Sequence, residues 1–148
     1  MGVIMDIWEK MYLLAKKEYR PEAVTPFVDA HHVVCAVEAK DGTIYTGFCI
    51  ESASGVMDLC AERVAVLNMY IQSGQTEVKR LLACRDNPPK ENGGMPCGAC
   101  REFLLQLNDK NKDMEIITDF ESRKTVTLES LMPGWWGWKR YNQSKENK

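Results

Sequence analysis

The sequence predicts an α/β protein, a three-layer α/β/α arrangement with a five-stranded mixed sheet. Two observations predict it. Apolar segments of helix length and of strand length follow one another in the order α-β-β-α-β-α-β-β, which suggests a sheet covered by helices on both faces. The chain has 148 residues, enough to bury one core without staples, with 45% apolar and 27% charged residues, the balance of a globular protein.

Each element has its own local reason. From Asp6 to Arg20, residues Ile7, Met11, Leu14 and Ala15 recur at helical spacing until Pro21 stops the pattern. Pro21 to Ala30 reads as a loop. His32 to Val37 is rich in β-branched residues, Lys40-Asp41-Gly42 makes a turn, and Thr43 to Ile50 completes a hairpin. The small, polar stretch Glu51 to Asp58 feeds a helix from about Leu59 to Ser73, closed by Gly74. Val78 to Cys84 is a short apolar strand, and Asp86 to Gly94, with two prolines and two glycines, is loop. Pro96 starts a helix running to about Leu107. Met114 to Thr118 and Lys124 to Leu128 form two further strands joined at Glu121-Ser122, followed by a helical turn before Pro133. The whole chain, 1–148, is expected to be one domain, with an N-terminal helix in 1–22 and a polar tail in 134–148.

Composition narrows the function. No apolar run approaches the ~20 residues that span a bilayer, and the N-terminus lacks the marks of a secretory signal. The expected setting is the cytoplasm, without a membrane partner. Net charge is −2, from 19 basic and 21 acidic residues spread along the chain. Nucleic-acid polymers are recognised through a basic surplus or stripe; none is visible here, and the run Lys139-Arg140, with Lys145 and Lys148, lies in the polar tail. Small substrates are therefore favoured over polymers.

Six cysteines have to be accounted for. Cys35, Cys49 and Cys84 stand singly in apolar segments and read as small buried hydrophobes. The other three lie in Cys60-Ala61-Glu62-Arg63 and Pro96-Cys97-Gly98-Ala99-Cys100-Arg101, each cluster opening a predicted helix. Cys97 and Cys100, at i and i+3, share one helix face and suit one zinc ion, with Cys60 as third thiolate from the other helix start. Helix N-termini favour the thiolate form that zinc requires. Three protein ligands leave a fourth position for water, the pattern of a catalytic centre. Glu62, two residues after a ligand, is placed to move protons at that water. Arg63, and also Arg101, are candidates to offset the thiolate charge by bonding to sulfur. Two other readings stay open at this level. A structural zinc site would want a fourth Cys or His, and a redox pair at Cys97 and Cys100 would leave Cys60-Ala61-Glu62 unexplained.

Ligand-x-Glu followed by Pro-Cys-x-x-Cys is the signature of the zinc deaminases. With Cys60 as first ligand, the chain resembles the small, usually homotetrameric cytidine deaminases and the related blasticidin S deaminases, from about His31 to Pro133. Lys40-Asp41-Gly42, Thr46-Gly47 and Ile50-Glu51-Ser52-Ala53-Ser54 add to the likeness. The resemblance implies one Zn²⁺ per subunit and hydrolytic deamination of a free cytosine nucleoside. It implies that Glu62 protonates the ring, that Arg63 balances the thiolates, and that Glu51 binds a ribose hydroxyl. It also implies that the backbone around Ala61 and the carbonyl of Met95 hold the ring edge.

The chain departs from the family pattern at several positions. Cys49 stands where an asparagine usually accompanies Glu51, Ser52 and Gly55 replace Asn and Tyr, and His31 replaces an aromatic residue. Cys49, the His31-His32-Val33 run and the long Asp86–Met95 loop are closer to the blasticidin S deaminases, which makes blasticidin S or another modified cytosine compound the alternative substrate. A nucleic-acid-editing deaminase ranks below both. From a different class, a zinc-stabilised binding protein without activity is the remaining alternative, opposed by the intact Glu62. Trp135, Trp136 and Trp138 follow Leu131-Met132-Pro133, where the family sends an aromatic residue into a neighbouring subunit. The expectation is that Trp135 or Trp136 stacks over an adjacent subunit's substrate.

Overall fold

A strand that is apolar on both faces has to be covered on both, and the central strands of this chain are of that kind. The structure, a computed structural model, describes residues 4–148. Its elements are α1 (Ile7–Lys16), β1 (Glu22–Thr25), β2 (Val28–Ala39), β3 (Ile44–Glu51), α2 (Ala61–Ser73), β4 (Val78–Cys84), α3 (Gly98–Leu107), β5 (Glu115–Asp119), β6 (Lys124–Thr127) and α4 (Trp138–Glu146). Along β2, Cys35, Val37 and Ala39 join one apolar cluster while Val34 and Ala36 join the other. In β4, Leu81 and Ala83 are divided from Leu82 and Cys84 in the same way. The first cluster is completed by α2 and α3, the second by Trp8, Met11 and Ala15 of α1. Helices thus cover both faces, as the element order predicts.

The sheet is mixed. β2 pairs antiparallel with β3 along one edge, and on the other edge with β1 and then β4. β4 and β5 run parallel, a pairing that needs a long crossover; α3 lies within it. β6 returns antiparallel to β5. Among the described residues no helix is long and apolar enough to cross a membrane.

The sheet has six strands, not five. The additional one, β1, lies in the stretch read as loop; its four residues are all exposed, so no apolar alternation betrays it. It turns at Pro26-Phe27 and lengthens β2 back to Val28. Both site helices begin later than expected, at Ala61 and Gly98, because Cys60 and Cys97 adopt extended backbone angles as N-caps. The polar tail is helical through Glu146, with Trp138 and Tyr141 packed on the first cluster.

One glycine sets the distance between sheet and helix. β3 passes α2 so closely at Gly47 that a side-chain carbon there would lie 2.3 Å from the Ala65 amide nitrogen. The start of α2 is thereby pressed against the sheet, and that start carries the site.

Candidate active site

Two helix N-termini meet over the sheet. Cys60 caps α2 and Cys97 caps α3, and neither side chain is used in a capping hydrogen bond, so both sulfurs are free to face each other. Their Sγ atoms are 3.5 Å apart, and Cys100 Sγ, from the first turn of α3, is 3.6 Å from that of Cys97. Zinc held tetrahedrally at ~2.3 Å from each sulfur needs sulfurs about 3.8 Å apart, so the triangle fits with minor adjustment. Cys60 is half-buried, Cys97 exposed and Cys100 fully buried, leaving one side of the triangle open.

The thiols differ in proton affinity. Burial raises Cys100 strongly, with the Glu62 charge adding to it, and burial raises Cys60 against the bond from Arg63. Burial also raises Cys97, but the Cys100 amide and the neighbouring thiols outweigh it, and the net shift is downward. Three clustered thiols that burial opposes ionising form the donor set of a soft divalent cation, which displaces their protons on binding. The residues therefore fit zinc.

Glu62 lies in the first turn of α2 and is 6% exposed. Its Oε2 accepts from Cys100 Sγ at 3.8 Å. Burial pushes its carboxyl above the usual range, more than its own amide, Cys100 and the Arg63 charge pull it down. Arg63 donates through Nη2 to Cys60 Sγ at 3.8 Å and to the Asp58 carbonyl at 3.2 Å. Arg101, in contrast, donates to the Pro96 carbonyl and not to a sulfur.

Ala61, Glu62, Cys97, Met95, Cys49 and Glu51 line a cavity of about 230 Å³ beside the triangle. A larger depression of about 690 Å³ lies elsewhere, where Arg80 pairs with Glu115 and Lys145 with Asp109. It contains no cysteine or histidine and reads as a groove between ion-paired side chains.

Residues 7–114 match the zinc-binding region of the cytidine and deoxycytidylate deaminases. The chain belongs to the cytidine and deoxycytidylate deaminase family. It is 32% identical to the cytidine deaminase of Sporosarcina psychrophila over 88% of this chain and 90% of that protein. It is 28% identical to the blasticidin-S deaminase of Bacillus cereus, over 70% of this chain and 75% of that one. The crystal structure of cytidine deaminase from Mycobacterium leprae superimposes with a TM-score of 0.66 at 25% identity, covering 87% of this chain and 99% of that one. As a family member the protein is a deaminase, a hydrolase acting on carbon–nitrogen bonds.

The fold brings most of the sequence-selected residues of this deaminase to one place. Trp135 and Trp136 lie together away from the cavity beside the sulfur triangle, around a different one, and differ in burial. Trp135 is 8% exposed, packed in the first cluster, with Nε1 donating to Glu102 at 2.5 Å; Trp136 is 59% exposed and donates to the same carboxylate at 2.6 Å. His31 is buried, with its ring stacked on Phe48. The residue not selected from the sequence as part of the site is His32, whose Nε2 lies 2.7 Å from Oε1 of the cavity-lining Glu51. Its only signal was its place in a His-His pair opposite the unusual Cys49.

Proposed function

We propose that the protein removes the exocyclic amine of a free cytosine nucleoside, cytidine or deoxycytidine, by hydrolysis to the uracil form and ammonia. One zinc ion per subunit would be held by Cys60, Cys97 and Cys100. The observation that carries this reading is the buried Glu62 carboxylate beside three converging sulfurs that open on a small cavity.

When bound, zinc would lower the pKa of a water in the coordination position that three protein ligands leave free. Glu62 takes a proton from the attacking water and passes it to ring N3, then takes the remaining proton of the new C4 hydroxyl and delivers it to the amine, which leaves as ammonia while the C4 carbonyl forms. A carboxyl whose proton affinity is raised by burial is suited to both directions of transfer. Arg63, bonded to Cys60 Sγ, offsets the charge of the thiolates. The backbone around Ala61 and the Met95 carbonyl hold the ring edge, and Glu51 accepts a sugar hydroxyl.

The cavity lining favours a nucleoside over a nucleotide. It contains the carboxylates of Glu51, Asp58 and Glu62, and no lysine or arginine among the described residues, so a phosphate would meet like charge. Cys49 in the lining favours blasticidin S as second reading, since a thiol is a poor hydrogen-bonding replacement for an amide.

We extend the proposal to a homotetramer in which Trp136, the exposed tryptophan, reaches a neighbouring subunit's site. It is supported by the outward apolar residues of α2, Leu67, Tyr70 and Ile71, and a monomeric mass by light scattering would remove it. The main test is ultraviolet absorbance and ammonia release with cytidine, deoxycytidine, cytosine, deoxycytidine monophosphate and blasticidin S. Turnover of the two nucleosides is expected. Silence across the panel would leave a zinc-stabilised binding protein instead.

A further inference from the structure

The start of β2 is irregular where it faces the cavity. Ala30 pairs with Ile50 and Val34 with Phe48, so His31, His32 and Val33 stand together opposite Cys49 alone. A bulge of this kind re-aims side chains and is common beside active sites. It requires His31 to take a positive φ of 67°, a conformation uncommon outside glycine. His31 is anchored there by its ring on Phe48, with centroids 3.6 Å apart, and by Nδ1 donating to the Glu18 carbonyl at 2.7 Å.

The bulge brings His32 against Glu51, the residue that the cavity shares with a neighbouring depression lined by His32. Its Nε2 donates to Glu51 Oε1 at 2.7 Å. Cys49 Sγ lies 3.4 and 3.5 Å from the two ring nitrogens. Near-equal distances to both nitrogens put the sulfur over the ring face and off the line of either in-plane lone pair. Although these three side chains lie close enough to hold an ion, that geometry is stacking, not ligation. The Val33 amide donates to Cys49 Sγ at 3.3 Å and fixes the sulfur under the imidazole.

We propose that His32 is the positioning residue for the group carried on N1 of the pyrimidine. It holds one oxygen of Glu51 and leaves the other to accept a hydroxyl, while Cys49 serves only as the support beneath the ring. The inference rests on the nucleoside reading above. The Glu51 side chain is 55% exposed and that of His32 only 23%. A glutamate that exposed samples many rotamers, and ordering it on ligand binding costs affinity. The bond from the better-buried imidazole orders it beforehand.

Binding of the reaction product class tests this without relying on turnover. The zinc-loaded full chain is titrated by NMR with uridine and with 1-methyluracil, which keeps the ring and lacks the sugar hydroxyls. The wild type is expected to bind uridine more tightly. In His32→Ala the ratio of the two dissociation constants should fall about tenfold, or about 1.4 kcal/mol, with 1-methyluracil binding little changed. His32→Gln, which keeps an N–H donor, should regain much of the ratio. Adding Glu51→Ala to His32→Ala should lower the ratio less than Glu51→Ala does alone. Should His32→Ala fail to fold, His32→Phe keeps a ring over the sulfur and removes the donor. Equal weakening of both ligands, an unchanged ratio, or a wild type with no preference for uridine would overturn the proposal. A protein that prefers uridine in this way yet deaminates nothing would overturn the deamination reading and leave the role of His32 standing.

Discussion

Replacing Gly47 with alanine is expected to damage the site from behind. The added methyl would lie 2.3 Å from the Ala65 amide nitrogen, 2.7 Å from the Ala61 carbonyl oxygen and 2.8 Å from the Ala65 Cα. Carbon atoms in contact rest about 3.5 Å apart, so α2 and β3 must part by roughly 1 Å. All three obstacles are backbone, which no rotamer change can relieve. Overpacking of this kind costs about 1–3 kcal/mol, and the upper half of that range applies here. At about 2–4 °C per kcal/mol for a chain of this size, Tm should drop by about 4–12 °C. Ala61 and Ala65 bracket the turn that carries Glu62, so the same displacement reaches the reacting groups. Misplacement by about 1 Å is expected to lower kcat roughly a hundredfold. Calorimetric melting and cytidine turnover of the zinc-loaded variant check both halves. A Tm within about 1 °C of wild type would refute the reasoning, because α2 would then not be positioned by that contact.

Three further outcomes are expected. Glu62→Gln should keep stoichiometric zinc by elemental analysis while kcat falls at least about a hundredfold; turnover near wild type would remove Glu62 as proton carrier. Cys97→Ser should lose both metal and turnover, since two thiolates and a hydroxyl hold zinc poorly, and full zinc occupancy would contradict the ligand assignment. Glu102 accepts from Trp136, opposed by slight burial and helped by Trp135, and its carboxyl is held below its ordinary 4.5. A depressed folded-state pKa means its stabilisation is present above 4.5 and is lost as pH falls through the folded value. The Tm difference between wild type and Glu102→Gln should therefore be constant from neutral pH to about 5.5 and shrink below about 4.5. A difference that widens in acid would contradict the paired indoles as the cause.

The parts of the site readable from sequence are those built from neighbours along the chain. Cys97 and Cys100 share a helix face by i,i+3 geometry, and Glu62 follows Cys60 within one turn, so their spacing reports their arrangement. Helices α1 to α3 and the inner strands β2 to β5 were equally readable, because burial on one or both faces imposes a period on the residues, whereas α4, none of whose residues is buried, was expected only as a polar tail. β1 carries no such period, since all of its residues are exposed.

The sequence by itself determined the chemistry available at the two helix starts and the layered α/β architecture, because both follow from local spacing and apolar periodicity. Only the tertiary structure decided which of three closely spaced tryptophans is buried and which exposed, that Arg63 and not Arg101 reaches a sulfur, and that His32 meets Glu51. Each of these depends on a contact between distant segments or on a bulge that changes which face a side chain takes. A shift in strand register leaves composition and spacing untouched and still reverses which side chains face the site.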